Sequence, residues 1–128
     1  MPREAVLDAS ALLALLQGEA GAERVAATIP GARISTVNLA EVAGKLADAG
    51  MPRGVVEEVL SGLGLQVVPL DRGAAIDVGL LRPVTRSRGL SLGDRACLVL
   101  GLRSGLPVLT SDQAWSGIDI GVEIEAIR

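Results

Sequence analysis

No histidine, phenylalanine or tyrosine occurs in the 128 residues, and cysteine and tryptophan occur once each. Without histidine there is no Ser-His or Cys-His nucleophile and no imidazole metal site. Without Phe and Tyr there is no broad aromatic platform for stacking bases. The lone Cys97 lies in the apolar run Ala96-Cys97-Leu98-Val99-Leu100. A single thiol in that setting packs as a small hydrophobe, and it cannot staple a fold. The N-terminal apolar stretch from Val6 to Leu16 is interrupted by Asp8 and preceded by Glu4. It falls short of the roughly 20 apolar residues of a membrane span, so a cytoplasmic location is expected. Any chemistry must come from carboxylates, hydroxyls, arginines or a cofactor.

The length suits one domain over residues 1–128, large enough to bury a core without disulfides. Twelve basic and fifteen acidic residues leave a net charge of −3, unlike a protein that binds nucleic acid through a broad basic surface. That sum changes if acids are neutralised by metal: four carboxylates facing two divalent cations would bring it to +1. Hydrophobic residues make up 49% of the chain, a high share for a small monomer, and point to a partner or to self-association.

Short apolar runs alternate with helical patterns and end at Gly or Pro, with no internal repeat. Glu4–Leu7 reads as a strand, and 10–17 and 19–27 as helices. Arg33–Ser35 is a strand, Thr36 a cap for a helix to Ala49, and Pro52 the start of a helix to about Leu63. Leu65–Pro69 reads as a buried strand, and Asp71 caps a helix reaching about Arg86. Ser91 opens an apolar helix to Ser104, Val108–Thr110 is a strand, Asp112–Trp115 a short turn or helix, and Val122–Ile127 a last strand. Strands separated by helices predict a parallel sheet covered on both faces, with ligands at the carboxyl ends of its strands.

Four acids sit where such a sheet would gather them. Asp8 follows strand residues Val6 and Leu7, and Asp112 follows Thr110-Ser111 after another strand. Asp94 lies in Ser91-Leu92-Gly93-Asp94 at a helix start, and Glu41 one turn into the helix after Arg33–Ser35. Each also has a purely structural account: Asp8 as an N-cap, Asp94 in a capping box with Ser91, Asp112 as a turn cap, Glu41 paired with Lys45, the only lysine. Those accounts do not require the acids to face one edge of the sheet. Two carboxylates 4 Å apart repel by roughly 4 kcal/mol at an effective dielectric near 20, so four together need protons or cations. Hard oxygen ligands without His or Cys select Mg²⁺ or Mn²⁺.

The stretch Leu7-Asp8-Ala9-Ser10-Ala11-Leu12-Leu13-Ala14-Leu15-Leu16 resembles the opening of PIN-domain proteins of the VapC toxin type. Ser35-Thr36-Val37-Asn38-Leu39-Ala40-Glu41-Val42 is similar to the second motif of that family. Leu90-Ser91-Leu92-Gly93-Asp94-Arg95-Ala96-Cys97-Leu98 is similar to the third and Thr110-Ser111-Asp112-Gln113-Ala114-Trp115 to the fourth. The resemblance implies a three-layer α/β/α fold with a short parallel sheet, and a metal-dependent endoribonuclease cutting single-stranded or loop RNA. Asp8 and Asp94 would be the principal metal ligands, with Glu41 and Asp112 completing the site. Ser10 and Thr110 would orient ligands or waters from behind, and Asp119 is a weaker candidate ligand. The metal would activate water and stabilise the phosphodiester oxygens. A cognate antitoxin covering a groove, and a homodimer built through helices, are the implied partners. The alternatives are an RNA-processing nuclease without an antitoxin and a non-catalytic metal-binding interaction module. A response-regulator receiver is disfavoured because no lysine follows Lys45, and a haloacid-dehalogenase phosphatase because Ser10 stands where a second aspartate is needed. The arginines at 33, 72, 86, 88 and 95 read as solvated surface charge.

Overall fold

A computed structural model describes residues 2–128. Its five strands are β1 (Val6–Leu7), β2 (Arg33–Ser35), β3 (Gln66–Val68), β4 (Val108–Thr110) and β5 (Ile124–Ala126). They form one sheet in the order β3-β2-β1-β4-β5, and every pairing is parallel. The helices are α1 (Ala9–Gln17), α2 (Ala22–Ala26), α3 (Thr36–Asp48), α4 (Arg53–Ser61), α5 (Arg72–Leu80), α6 (Arg82–Thr85) and α7 (Leu92–Ser104).

Alternation along the central strands divides the core. Leu7, Ile34 and Leu109 pack with Leu12, Val25 and Val42 from α1, α2 and α3 on one face. Val6 and Val108 point the other way, onto Cys97, Leu98 and Trp115. Behind that layer Ala74 and Val78 of α5 pack on Ala96 and Val99 of α7. The period-two reversal of side chains in a strand thus yields the expected three layers. Gly101 lets α7 lie close on the sheet, since a Cβ there would come within 2.5 Å of Val108 and 2.9 Å of Val122.

Several boundaries differ from the sequence reading. β1 is only two residues long, and the second helix begins at Ala22, because Gly21 takes a left-handed φ of 93° after a turn. Ser35 rather than Thr36 caps α3, its hydroxyl accepting from the Val37 N–H at 3.2 Å. The Thr36 hydroxyl instead accepts from the Leu70 N–H at 3.1 Å, tying α3 to the segment after β3. The helix capped by Asp71 stops at Leu80, with α6 and a short 3-10 turn (Arg86–Arg88) following it. Pro83, which lacks an N–H and crowds the preceding turn, stands at that break. β3 is an exposed edge strand, not a buried one, with Val67 42% accessible.

Candidate active site

The carboxyl ends of the three central strands meet the first turns of α1, α3 and α7. There a cleft of about 230 Å³ is lined by Asp8, Ala9, Ser10, Leu13, Asn38, Glu41, Lys45, Asp94 and Asp112. All four predicted acids are in it, and Asp119 is not. Asp119 lies exposed in the loop before β5.

Glu41, Asp94 and Asp112 are each held locally through one oxygen, and Asp8 through both. The Asp8 Oδ1 accepts from the Ser10 hydroxyl at 2.7 Å and the Ala11 N–H at 2.8 Å, and its Oδ2 accepts from the Thr110 hydroxyl at 2.5 Å. Asp94 completes a capping box: the Ser91 N–H donates to its Oδ2 at 2.9 Å, while its own N–H donates to the Ser91 hydroxyl at 3.1 Å. The Asp112 Oδ1 accepts from the Ala114 N–H at 2.8 Å. The Glu41 Oε1 accepts from the Asn38 amide at 2.8 Å. A carboxylate offers about four lone-pair positions, so every acid retains an acceptor among the described residues, and Glu41, Asp94 and Asp112 each retain a whole oxygen. The capping roles and a ligand role are therefore compatible: for Asp94 and Asp112 the cap fixes one oxygen and the other remains for chemistry, and Asp8 keeps a free lone pair beside its hydrogen bonds.

Burial makes Asp8 costly to ionise. It is 4% exposed, and loss of hydration pushes its pKa from an ordinary 3.8 to about 6. Donation from Thr110, Ala11 and Ser10 opposes the rise, and the charge of Asp94 adds to it. The same field reaches the core. The buried Cys97 thiol is pushed up by desolvation first and then by Asp8, Asp94 and Glu41, so it stays protonated and inert.

The donor set fits a hard divalent cation: all oxygen, no nitrogen or sulfur, strong mutual repulsion. The acids do not converge on one point as they stand, and among the described residues no group of three Asp, Glu or Cys side chains is gathered tightly enough to hold an ion. Like charges in one cleft are expected to stand apart until a cation screens them.

The PIN-domain family matches residues 5–121. The chain belongs to that family. Among solved structures, a toxin–antitoxin complex from Klebsiella pneumoniae is similar with a TM-score of 0.76 at 21% identity, covering 97% of this chain and 98% of that one. A DNA-bound VapBC complex from Salmonella typhimurium superposes with a TM-score of 0.73 at 22% identity over 100% of both chains. VapC20 of Mycobacterium tuberculosis, described as a sarcin–ricin loop cleaving toxin, gives 0.73 at 17% identity, covering 93% of this chain and 98% of that one. At such identities the likeness is one of fold. Curated proteins provide no match.

In this PIN domain several residues matter that the sequence left unnamed or suggested another role for. Asn38, 1% exposed, donates both to Glu41 and, at 3.0 Å, to the Gly93 carbonyl, and so joins α3 to the start of α7. Its three-residue spacing from Glu41 on one helix was the available signal. Gly93 leaves room for the Glu41 carboxylate, which a Cβ there would overlap. Lys45 lines the cleft, yet the expected Glu41–Lys45 ion pair is absent among the described residues. Arg95 is not surface charge: it is 9% exposed and its Nη1 donates to the Val78 carbonyl at 2.9 Å, linking α7 to α5. Arg88 donates to the carbonyls of Ala114, at 3.4 Å, and Ser116.

Proposed function

We propose that this chain is a divalent-metal-dependent endoribonuclease that cuts single-stranded or loop RNA and serves as the toxin of a bacterial toxin–antitoxin pair. The observation that carries the reading is the cleft itself. Four carboxylates from four separate chain segments line one opening at the carboxyl edge of a parallel sheet, each anchored and each with acceptor capacity left. Purely structural caps have no reason to line one opening.

In this reading Asp8 and Asp94 are the principal ligands of Mg²⁺ or Mn²⁺, with Glu41 and Asp112 completing the set. Bound there, the cation supplies positive charge for the phosphodiester oxygens and acidity for an attacking water. Ser10 and Thr110 fix the Asp8 carboxylate, and Asn38 fixes Glu41. Ser10 also accepts from the Ser111 N–H at 3.0 Å, and the Thr110 hydroxyl accepts from the Asp112 N–H at 3.0 Å, so the segments bearing Asp8 and Asp112 are tied together. These bonds would orient the ligands, while a cation would still have to draw the carboxylates together.

Two further surfaces support the partner reading. A groove of about 700 Å³ between α3 and α4 is lined by Leu39, Ala40, Ala43, Ala47, Met51, Val56 and Leu60, and suits an apolar segment of an antitoxin. Its α3 residues lie on the face of that helix opposite Asn38, Glu41 and Lys45, so an occupant would have to cross the helix to reach the cleft. Exposed Ile76, Leu80 and Val84 recur every fourth residue along α5 and α6, and support a homodimer. Among the described residues no helix is long and apolar enough to cross a membrane. A toxin of this kind acts in the cytoplasm, where its RNA is.

The test is incubation of the antitoxin-free chain with labelled structured and unstructured RNAs in Mn²⁺, in Mg²⁺ and in EDTA, beside Asp94→Asn. Cleavage that requires metal and disappears in the variant is the expected result. Absence of cleavage of any RNA, with calorimetry showing no divalent binding, would remove the nuclease reading.

A further inference from the structure

The acid cleft contains one positive side chain. Lys45 lies on α3 one turn beyond Glu41, exposed at the rim. It has no ion-pair partner among the described residues. None of the eleven arginines lines the cleft. Most are already engaged: Arg3, Arg24, Arg53, Arg103 and Arg128 with carboxylates, Arg88 and Arg95 with backbone carbonyls.

We propose that Lys45 is a substrate-contacting residue whose ammonium binds an RNA phosphate neighbouring the one that is cut. The inference rests on the nuclease reading of the same cleft and adds a residue to it. A polyanion approaching a net-negative protein is repelled everywhere except where cations stand free. Metal bound by the acids can account for one phosphate. The phosphates on either side need their own counter-charge, and in this cleft only Lys45 offers it. An ammonium on a flexible four-carbon stem suits that task, since it meets a phosphate as a point charge without fixing its orientation. The position also explains why the Glu41 pair does not form: Glu41 is turned toward Asn38 and α7, which leaves Lys45 free at the opening.

The experiment compares the unsubstituted chain, Lys45→Gln and Lys45→Arg. Binding of a labelled single-stranded RNA is followed by anisotropy in Ca²⁺ over a range of salt, and kcat and KM are measured in Mg²⁺. Lys45→Gln is expected to weaken binding and raise KM by about 3- to 10-fold with kcat within about 2-fold. The slope of log affinity against log salt should fall by about 0.7, the value for one phosphate contact on a single strand. Lys45→Arg should retain most of both. A Lys45→Gln protein with unchanged affinity and salt slope overturns the proposal, as does one whose Mn²⁺ affinity falls in step with its RNA affinity, since Lys45 would then act on the acids rather than on RNA. If the unsubstituted chain binds RNA through Lys45 but cleaves none of it, the contact stands and the nuclease reading fails. Normal cleavage with an indifferent Lys45 has the opposite meaning.

Discussion

Asp8 illustrates how a residue can be costly to the fold and useful to the site. An acid whose pKa is higher in the folded chain than in the unfolded one binds its proton more tightly when folded. Its contribution to stability is complete below the ordinary value near 3.8 and is lost as pH rises through about 6. At neutral pH the loss is about 3 kcal/mol before any cation relieves it. Metal-free Asp8→Asn is therefore expected to be more stable than the parent at about pH 7, by about 1–3 kcal/mol, and to melt with less pH dependence. The amide oxygen can accept from Ser10 and Ala11, while the Thr110 hydroxyl turns to accept from the amide nitrogen. Thermal melts in EDTA at about pH 4.5 and about pH 7 decide it; a variant weaker at both values would mean that the lost hydrogen bonding outweighs the removed charge. Gly93 gives a second residue-scale test. The atoms that its Cβ would displace belong to the flexible end of Glu41, so Gly93→Ala should fold, with a helix preference worth about 1 kcal/mol in its favour. Cleavage should fall at least about 10-fold because Glu41 leaves its place beside Asn38. Equal losses of melting temperature and activity would contradict this separation.

Among the elements, the strongest local signals survived folding. The box at Ser91–Asp94, the cap at Asp71 and the strands at 33–35 and 108–110 are where the sequence pattern places them. Each rests on contacts within a few residues, so the local sequence suffices. What was not legible depends on partners far along the chain. The exposure of β3 follows from its position at the sheet edge, which strand pattern cannot reveal. The Asn38 bond to Gly93 spans 55 residues, and the burial of Arg95 depends on a carbonyl of α5. Asp8, Asp94 and Asp112 were legible because strand ends and helix starts mark the carboxyl edge of a parallel sheet, and Glu41 because it stands one turn into the helix that follows such a strand, whereas Lys45 was visible only as a helix neighbour of Glu41. The reach of Arg88 is another long-range element contact. It joins the 3-10 turn ahead of Ser91 to the turn after Asp112, across 26 residues to Ala114 and 28 to Ser116. Arg88→Ala should cost at most about 1 kcal/mol of stability, because the group is exposed, yet weaken Mn²⁺ binding several-fold by loosening Asp112 relative to Asp94. Trp115, the only fluorophore of its kind in a chain without tyrosine, reports on that turn. Its emission should shift to the red in the variant, and unchanged emission with unchanged Mn²⁺ affinity would count against a latch.

At the scale of the whole molecule, the proposed self-association of this chain, 49% hydrophobic, needs an exposed apolar face. The helix face built from Ile76, Leu80 and Val84 is the natural place, with Leu80 69% exposed and Leu102 beside it across a shallow cleft. In a two-fold dimer the same patch meets itself, so one substitution acts twice. Burying a leucine contributes about 1.5–3 kcal/mol, so its loss from both copies weakens association by about 3–6 kcal/mol, or roughly 10²- to 10⁴-fold. Replacing it by an acid adds a desolvation cost on each side. Leu80→Glu should therefore sediment as a single 13.1 kDa chain at concentrations where the parent has twice that mass. The acid cleft lies on the strand-end edge and none of its lining residues belongs to α5 or α6, so each monomer should keep its Mn²⁺ affinity. A parent that is monomeric at every accessible concentration would sink the dimer, and the exposed face would then belong to another protein. A dimer that persists in Leu80→Glu would move the interface elsewhere on the surface, with the groove between α3 and α4 the next apolar candidate.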